Sequence, residues 1–162
     1  ERFSAEEAVE NLRNTDCYDG WQESLRYFFY ARESWLQEQR GVPLPTAAWK
    51  KIWAESADRT IEHVLPQSPE EGSLWEAKLE EAGLKSADEI CHRLGNLVVL
   101  PYAFNREASN SDFEEKRDVY RRAGLLISDE MAKRKEWTPA TIEDRENELL
   151  KWAAEYWGDV PT

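Results

Sequence analysis

Glu62 and His63 stand side by side, with Pro66 three residues after the histidine and Gln67 behind it. Some thirty residues on come Gly95 and Asn96, the β-branched run Leu97-Val98-Val99-Leu100, and then Asn105 in Pro101-Tyr102-Ala103-Phe104-Asn105-Arg106. A carboxylate, an imidazole and amides brought together are parts from which a hydrolytic site with one metal ion can be built. Cutting a phosphodiester takes an activated water, an in-line approach, and positive charge on the phosphoryl oxygens and leaving group. A free imidazole has a pKa near ~6.5 and accepts a proton at neutral pH. Arg93, Arg106 and Lys116 are candidates for phosphate contact. Each residue also has an ordinary reading: a surface Glu-His pair, a turn asparagine after glycine, solvated cations.

The elements that must position these residues follow from periodicity. A strand over about 59–63 would end on Glu62-His63, and a second strand covers Asn96–Leu100. Neighbouring side chains on a strand point to opposite faces. Glu62 and His63 therefore share a site only if the chain bends or ends there, which the Leu65-Pro66 step allows. Pro101 opens a helix carrying Asn105, Ser109-Asn110-Ser111 breaks it, and Ser111-x-x-Glu114 caps a further helix to about Arg122. Between the strands, Leu74–Ala82 reads as a short acidic helix stopped by Gly83. Upstream, Ser4-Ala5-Glu6-Glu7 starts a helix over 4–14. A long amphipathic helix runs from Trp21 to about Gln39, with Trp21, Leu25, Phe28, Phe29, Trp35 and Leu36 at three-to-four spacing. A shorter one carries Trp49, Ile52 and Trp53. These aromatics read as helical core rather than as base-stacking platforms. Two helices close the chain, over about 128–135 and 139–157, the second started by Thr138-Pro139. The expected fold is mainly α with a small β-hairpin: a ββα-metal element wrapped by helices.

Composition sets the outer bounds. With 162 residues, 41% of them hydrophobic and eight tryptophans, the chain suits one folded domain over 1–162. It opens on Glu1 and its only methionine is Met131, which suggests a domain cut from a larger protein. No apolar run approaches the ~20 residues of a membrane span. Two distant cysteines, Cys17 and Cys91, do not require a disulfide, and a reducing cytoplasm fits them. The net charge of −12 argues against a general nucleic-acid binder. It is unevenly spread: residues 61–90 hold two Lys/Arg against eight Asp/Glu, whereas residues 91–135 hold nine against seven. Only the second stretch, a local basic lip, is suited to approach phosphate. Weak DNA binding, supplemented by a fused or partner module, is the expectation.

Glu62-His63-x-x-Pro66-Gln67, His92-Arg93-Leu94-Gly95-Asn96-Leu97, Asn105, and Ser109-Asn110-x-x-Phe113-x-x-Lys116-Arg117 together resemble the C-terminal HNH nuclease domain of GmrSD-type modification-dependent restriction enzymes. They are also similar to the nuclease half of phosphorothioation-linked phage-defence proteins. The matching core covers about 60–117, with weaker echoes at Leu25–Tyr30 and at Trp137, Ile142, Arg145, Leu149 and Trp157. The resemblance implies a DNA endonuclease that nicks foreign DNA in restriction or phage defence. It implies His63 as general base, Glu62 and Asn105 as metal ligands, and Asn96 as the brace of the loop bearing the histidine. Asn110 competes with Asn105 for the ligand role. One carboxylate and one amide oxygen would suit Mg²⁺, with Mn²⁺ substituting. Zinc lacks a closed ligand set, since Cys91 and His92 read as structural. The implied partners are DNA and an N-terminal ParB-like nucleotidase module, with no membrane. Oligomeric state is left open. The competing reading is a non-catalytic DNA-docking or helical interaction module with a decayed site.

Overall fold

The computed structural model describes residues 4–158. Among these, the only sheet is the antiparallel pair β1 (Ile61–His63) and β2 (Leu97–Val99), with Ile61 opposite Val99, Glu62 opposite Val98 and His63 opposite Leu97. Two three-residue strands have no independent stability. All six residues are buried, and helices cover the pair. The fold is mainly α around a small β-hairpin, as the sequence predicts. Both strands are shorter than expected. Residues 57–60 form a helical turn, α4 (Ala57–Thr60), following α3 (Thr46–Ala54), and Asn96 ends a 3-10 turn (Leu94–Asn96) instead of starting β2.

The first helix, α1 (Ala5–Glu10), is shorter than the 4–14 expected, and Ser4 caps it through the Glu7 amide. Helix α2 (Gln22–Arg40) stops at Gly41, whose φ of 62° is a left-handed conformation that costs glycine little. It buries Leu25, Phe29 and Leu36, but Trp21 lies just before the helix and is 49% exposed, so that aromatic is not core. Glu33, in the same helix, is wholly buried. Its carboxylate accepts from the Ile127 amide (2.8 Å), the Leu126 amide (3.2 Å) and Trp49 Nε1 (3.1 Å). One α2 side chain thus satisfies the first amides of the helix over Leu126–Ala132 and ties in α3.

Between the strands, α5 (Leu74–Glu81) is stitched to the site region by buried Trp75, whose Nε1 donates to Ser111 O at 2.9 Å. After β2, α6 (Tyr102–Ala108) is followed by α7 (Phe113–Arg122). Asp112 occupies the N-cap position of α7 without a side-chain cap bond, so the predicted Ser111 cap does not form. The chain continues through α8 (Leu126–Ala132) into α9 (Pro139–Trp157), where Thr138 takes the cap bond from Thr141 N.

Helix α9 lies directly against the 3-10 turn. A Cβ on Gly95 would sit 2.0 Å from the Ile142 carbonyl oxygen, so only glycine permits this approach. Buried Arg145 donates to Gly95 O (2.8 Å) and Leu97 O (2.7 Å), and Arg93 pairs with fully buried Glu146. The turn leading into β2 is therefore clamped from fifty residues downstream. No described helix is long and apolar enough to cross a membrane. Cys17 and Cys91 are both free and buried, and burial pushes each thiol up to about 11.

Candidate functional site

Strand alternation sends the two motif residues apart. Glu62 turns inward to α7, where Lys116 Nζ lies 3.4 Å from its Oε1 and the Tyr120 hydroxyl donates to Oε2 at 3.2 Å. Lys116 has no exposed surface. It also donates to the carbonyls of His63 (2.9 Å) and Val64 (3.0 Å), fixing the chain just after β1. Burial raises Glu62 to about 7, against the lowering pull of Lys116 and Tyr120. Burial likewise lowers Lys116, against the pull of Glu62. The expected phosphate contact by Lys116 is thus corrected: a wholly enclosed ammonium cannot meet a DNA backbone. The expected Glu62 ligand is not presented openly either, since both its oxygens already have partners in the core.

His63 turns the other way, toward a polar cleft whose lining includes Tyr18, Asp58, Gln67, Asn105 and Asn110, and also Glu62. Its Nδ1 lies 3.3 Å from the Gln67 amide nitrogen, and its Nε2 3.0 Å from His92 Nδ1. The Tyr18 ring meets His63 edge-on at 4.5 Å. Burial foremost, with the facing His92 and Lys116, pushes the imidazole down to about 3, far from the free value expected from sequence. In this state His63 is neutral at pH 7.

Asn96, for which the resemblance implies a bracing role, sits between the chain after β1 and the 3-10 turn. It is fully buried, and its amide makes four hydrogen bonds. Oδ1 accepts from Leu65 N (2.8 Å) and Trp137 Nε1 (3.0 Å); Nδ2 donates to Leu65 O and Cys91 O, both at 2.9 Å. It locks the His63–Pro66 loop to the 3-10 turn and leaves no atom for a ligand. Asn105, on α6, donates through Nδ2 to Arg59 O (2.8 Å) and Ile61 O (3.2 Å), and its Oδ1 takes no hydrogen bond among the described residues. Asn110 similarly spends Nδ2 on Ser68 O at 3.0 Å. Both asparagines stand at the cleft.

Arg93 is also corrected as a phosphate contact, because its guanidinium is occupied by Glu146. Arg106 remains exposed, lying over the Tyr102 ring at 5.6 Å. The predicted basic lip is largely neutralised from within. Arg117 pairs with Glu114, Arg122 with Glu107 and Asp118, and Arg134 with Glu148. Of the nine cations in residues 91–135, Arg106, Arg121, Lys133 and Lys135 alone have no carboxylate partner among the described residues.

Sequence reasoning missed the loop Asp16-Cys17-Tyr18-Asp19 and the part played by His92. The Cys17 amide donates to His92 O at 2.9 Å, and Tyr18 stacks on the His92 ring at 5.1 Å and 6°. Asp16, Asp19 and His92 each bring a ligand atom within 4.8 Å of the others, a spacing that suits one cation. The only signal was a short polar loop between two helices, which fixes no partner. Cys91 is a core residue as expected, whereas His92 is half-buried against His63 and outside the cleft lining.

The family described as GmrSD restriction endonucleases, C-terminal domain, matches residues 3–152. The chain belongs to that family. Its biochemical setting is therefore that of a restriction-endonuclease domain, a nuclease whose substrate is DNA. Comparison with curated proteins and with solved structures gave no match.

Proposed function

We propose that this domain is an HNH-type, metal-dependent endonuclease that nicks one DNA strand per encounter, leaving 5′-phosphate and 3′-hydroxyl ends. The observation carrying this reading is one polar cleft that joins His63 to Asn105, on a loop braced by Asn96. His63 takes a proton from the attacking water. A neutral imidazole is the form a base needs, and phosphate charge entering the cleft raises its proton affinity from the DNA-free value. Asn105 Oδ1 fits a hard cation, since its own Nδ2 is fixed by backbone carbonyls and the oxygen is left over. Glu62 joins it only by exchanging Lys116 or Tyr120 for the cation, so the donor set fits in part. Mg²⁺, with Mn²⁺ substituting, would supply charge to the phosphoryl oxygens. Arg106 is the phosphate contact that the exposure pattern leaves in place.

With five of the nine cations of residues 91–135 internally paired, the domain relies on a larger assembly for DNA affinity. An N-terminal ParB-like nucleotidase module in a cytoplasmic defence protein fills that place. The test is incubation with supercoiled plasmid and Mg²⁺ or Mn²⁺, with EDTA and His63→Ala as controls. Metal-dependent nicking that His63→Ala loses supports the reading. A folded wild-type domain that leaves plasmid intact with both metals and with its partner module overturns it.

A further inference from the structure

We infer that His92 is a positioning residue for His63: it holds the ring from behind and takes the proton of one nitrogen, so that the lone pair of the other lies on the cleft side. This rests on the reading of His63 as the base. The two imidazoles meet Nε2 to Nδ1 at 3.0 Å, so a single proton lies between them. Gln67, a cleft residue, lies 3.3 Å from His63 Nδ1, whereas His92 does not line the cleft. Nδ1 is therefore the nitrogen on the substrate side and Nε2 the one behind.

The Gln67 amide nitrogen can only donate, so Nδ1 accepts from it, the His63 proton sits on Nε2, and His92 Nδ1 accepts that proton's hydrogen bond. His92 then carries its own proton on Nε2. When water replaces the Gln67 amide at Nδ1, that nitrogen takes the water's proton, the hydroxide bonds to phosphorus as the P–O3′ bond breaks, the 3′ oxygen takes a proton from bulk water, and Nε2–H keeps donating to His92 throughout. A base oriented by a second group, itself oriented by a third, is a recurring arrangement in hydrolytic sites. Two contacts keep His92 in register: Tyr18 stacks on its ring at 5.1 Å, and the Cys17 amide binds its carbonyl oxygen at 2.9 Å.

The experiment compares wild type with His92→Phe, which keeps a ring against Tyr18, and His92→Asn, whose Oδ1 replaces the Nδ1 acceptor. His92→Phe should lower kcat for plasmid nicking by about 10–100-fold with KM unchanged. His92→Asn should recover most of that loss. Nitrogen-15 NMR of the DNA-free protein should show His63 protonated on Nε2 in wild type and His92→Asn, and a mixture of tautomers in His92→Phe. Full activity in His92→Phe, or a wild-type His63 protonated on Nδ1, overturns the inference. So does equal inactivity of both variants with loss of Mn²⁺ binding, which would make His92 a metal ligand. If wild type fails to nick, the nuclease reading falls, and the NMR result still decides the tautomer.

Discussion

The two faces of β1 make a comparison within one dipeptide. On the Glu62 face a carboxylate, an ammonium and a phenol close on one another, and Lys116 also serves two backbone carbonyls. On the His63 face an imidazole contacts a second imidazole, an amide and a tyrosine ring beside an open cleft. Both residues are almost wholly buried, at 3% and 6% exposure. Burial alone therefore does not tell the two side chains apart. The difference lies in what surrounds each: Glu62 has an ammonium and a phenol on its two oxygens, whereas His63 meets a second imidazole, an amide and a tyrosine ring, although both line the same cleft.

The strongest break of the comparison is His63→Ala. It should lower nicking by about 10²–10⁴-fold, the usual contribution of a general base, with thermal melting close to wild type. On the other face, Lys116→Met should destabilise by about 3–5 kcal/mol in urea unfolding, because it leaves a buried carboxylate unpaired. Adding Glu62→Gln to that variant should restore much of the loss. If Lys116→Met instead melted like wild type and lost DNA affinity, the ammonium would belong to the substrate side after all. Gly95→Ala comes next, at about 1–3 kcal/mol, since the new methyl group must push back a helix carbonyl rather than a flexible side chain. Its nicking activity should fall with the fraction folded.

Asn105→Ala should raise the Mn²⁺ concentration required for half-maximal nicking and leave melting little changed. If Asn110→Ala produced that shift while Asn105→Ala did not, the ligand would sit five residues further along. The smallest effects are in pH, and the two faces should act with opposite sign. Burial lowers His63 from 6.5 to about 3, so below 6.5 the unfolded chain binds a proton that the folded protein refuses. That contribution to stability is complete above 6.5 and is lost as pH falls toward 3. Burial raises Glu62 from 4.5 to about 7, so its contribution is complete below 4.5 and is lost as pH rises through 7. Melting curves across pH 3–8 should show a shallower acid loss in His63→Gln. Glu62→Gln should flatten the change between 4.5 and 7.

How far the sequence could be read follows the same division. Helix periodicity located α2 and α9 to within a residue, because an apolar stripe is a local property of the chain. Pro101 likewise placed the start of the helix carrying Asn105, whereas the bracing role of Asn96 came from the family resemblance alone. Charge was the poor guide. Arg93 and Lys116 look alike in sequence to the exposed Arg106, and their difference depends on Glu146 and Glu62, more than fifty residues away from each. The same distance hid His92 from His63: an imidazole pair formed across 29 residues leaves no periodic trace. Trp21 misled for a related reason, since it continues the apolar spacing but falls before the helix begins.

The clamp of α9 on the Gly95 turn also orders events during synthesis. The histidine, both amides and the buried lysine have all been translated by residue 116, yet Arg145 and Glu146, which hold the turn beneath them, have not. A nascent or truncated chain that carries the entire motif is thus an unfinished tool. The turn beneath the cleft would set only after the last helix emerges and docks, so order at the site waits for the end of the chain.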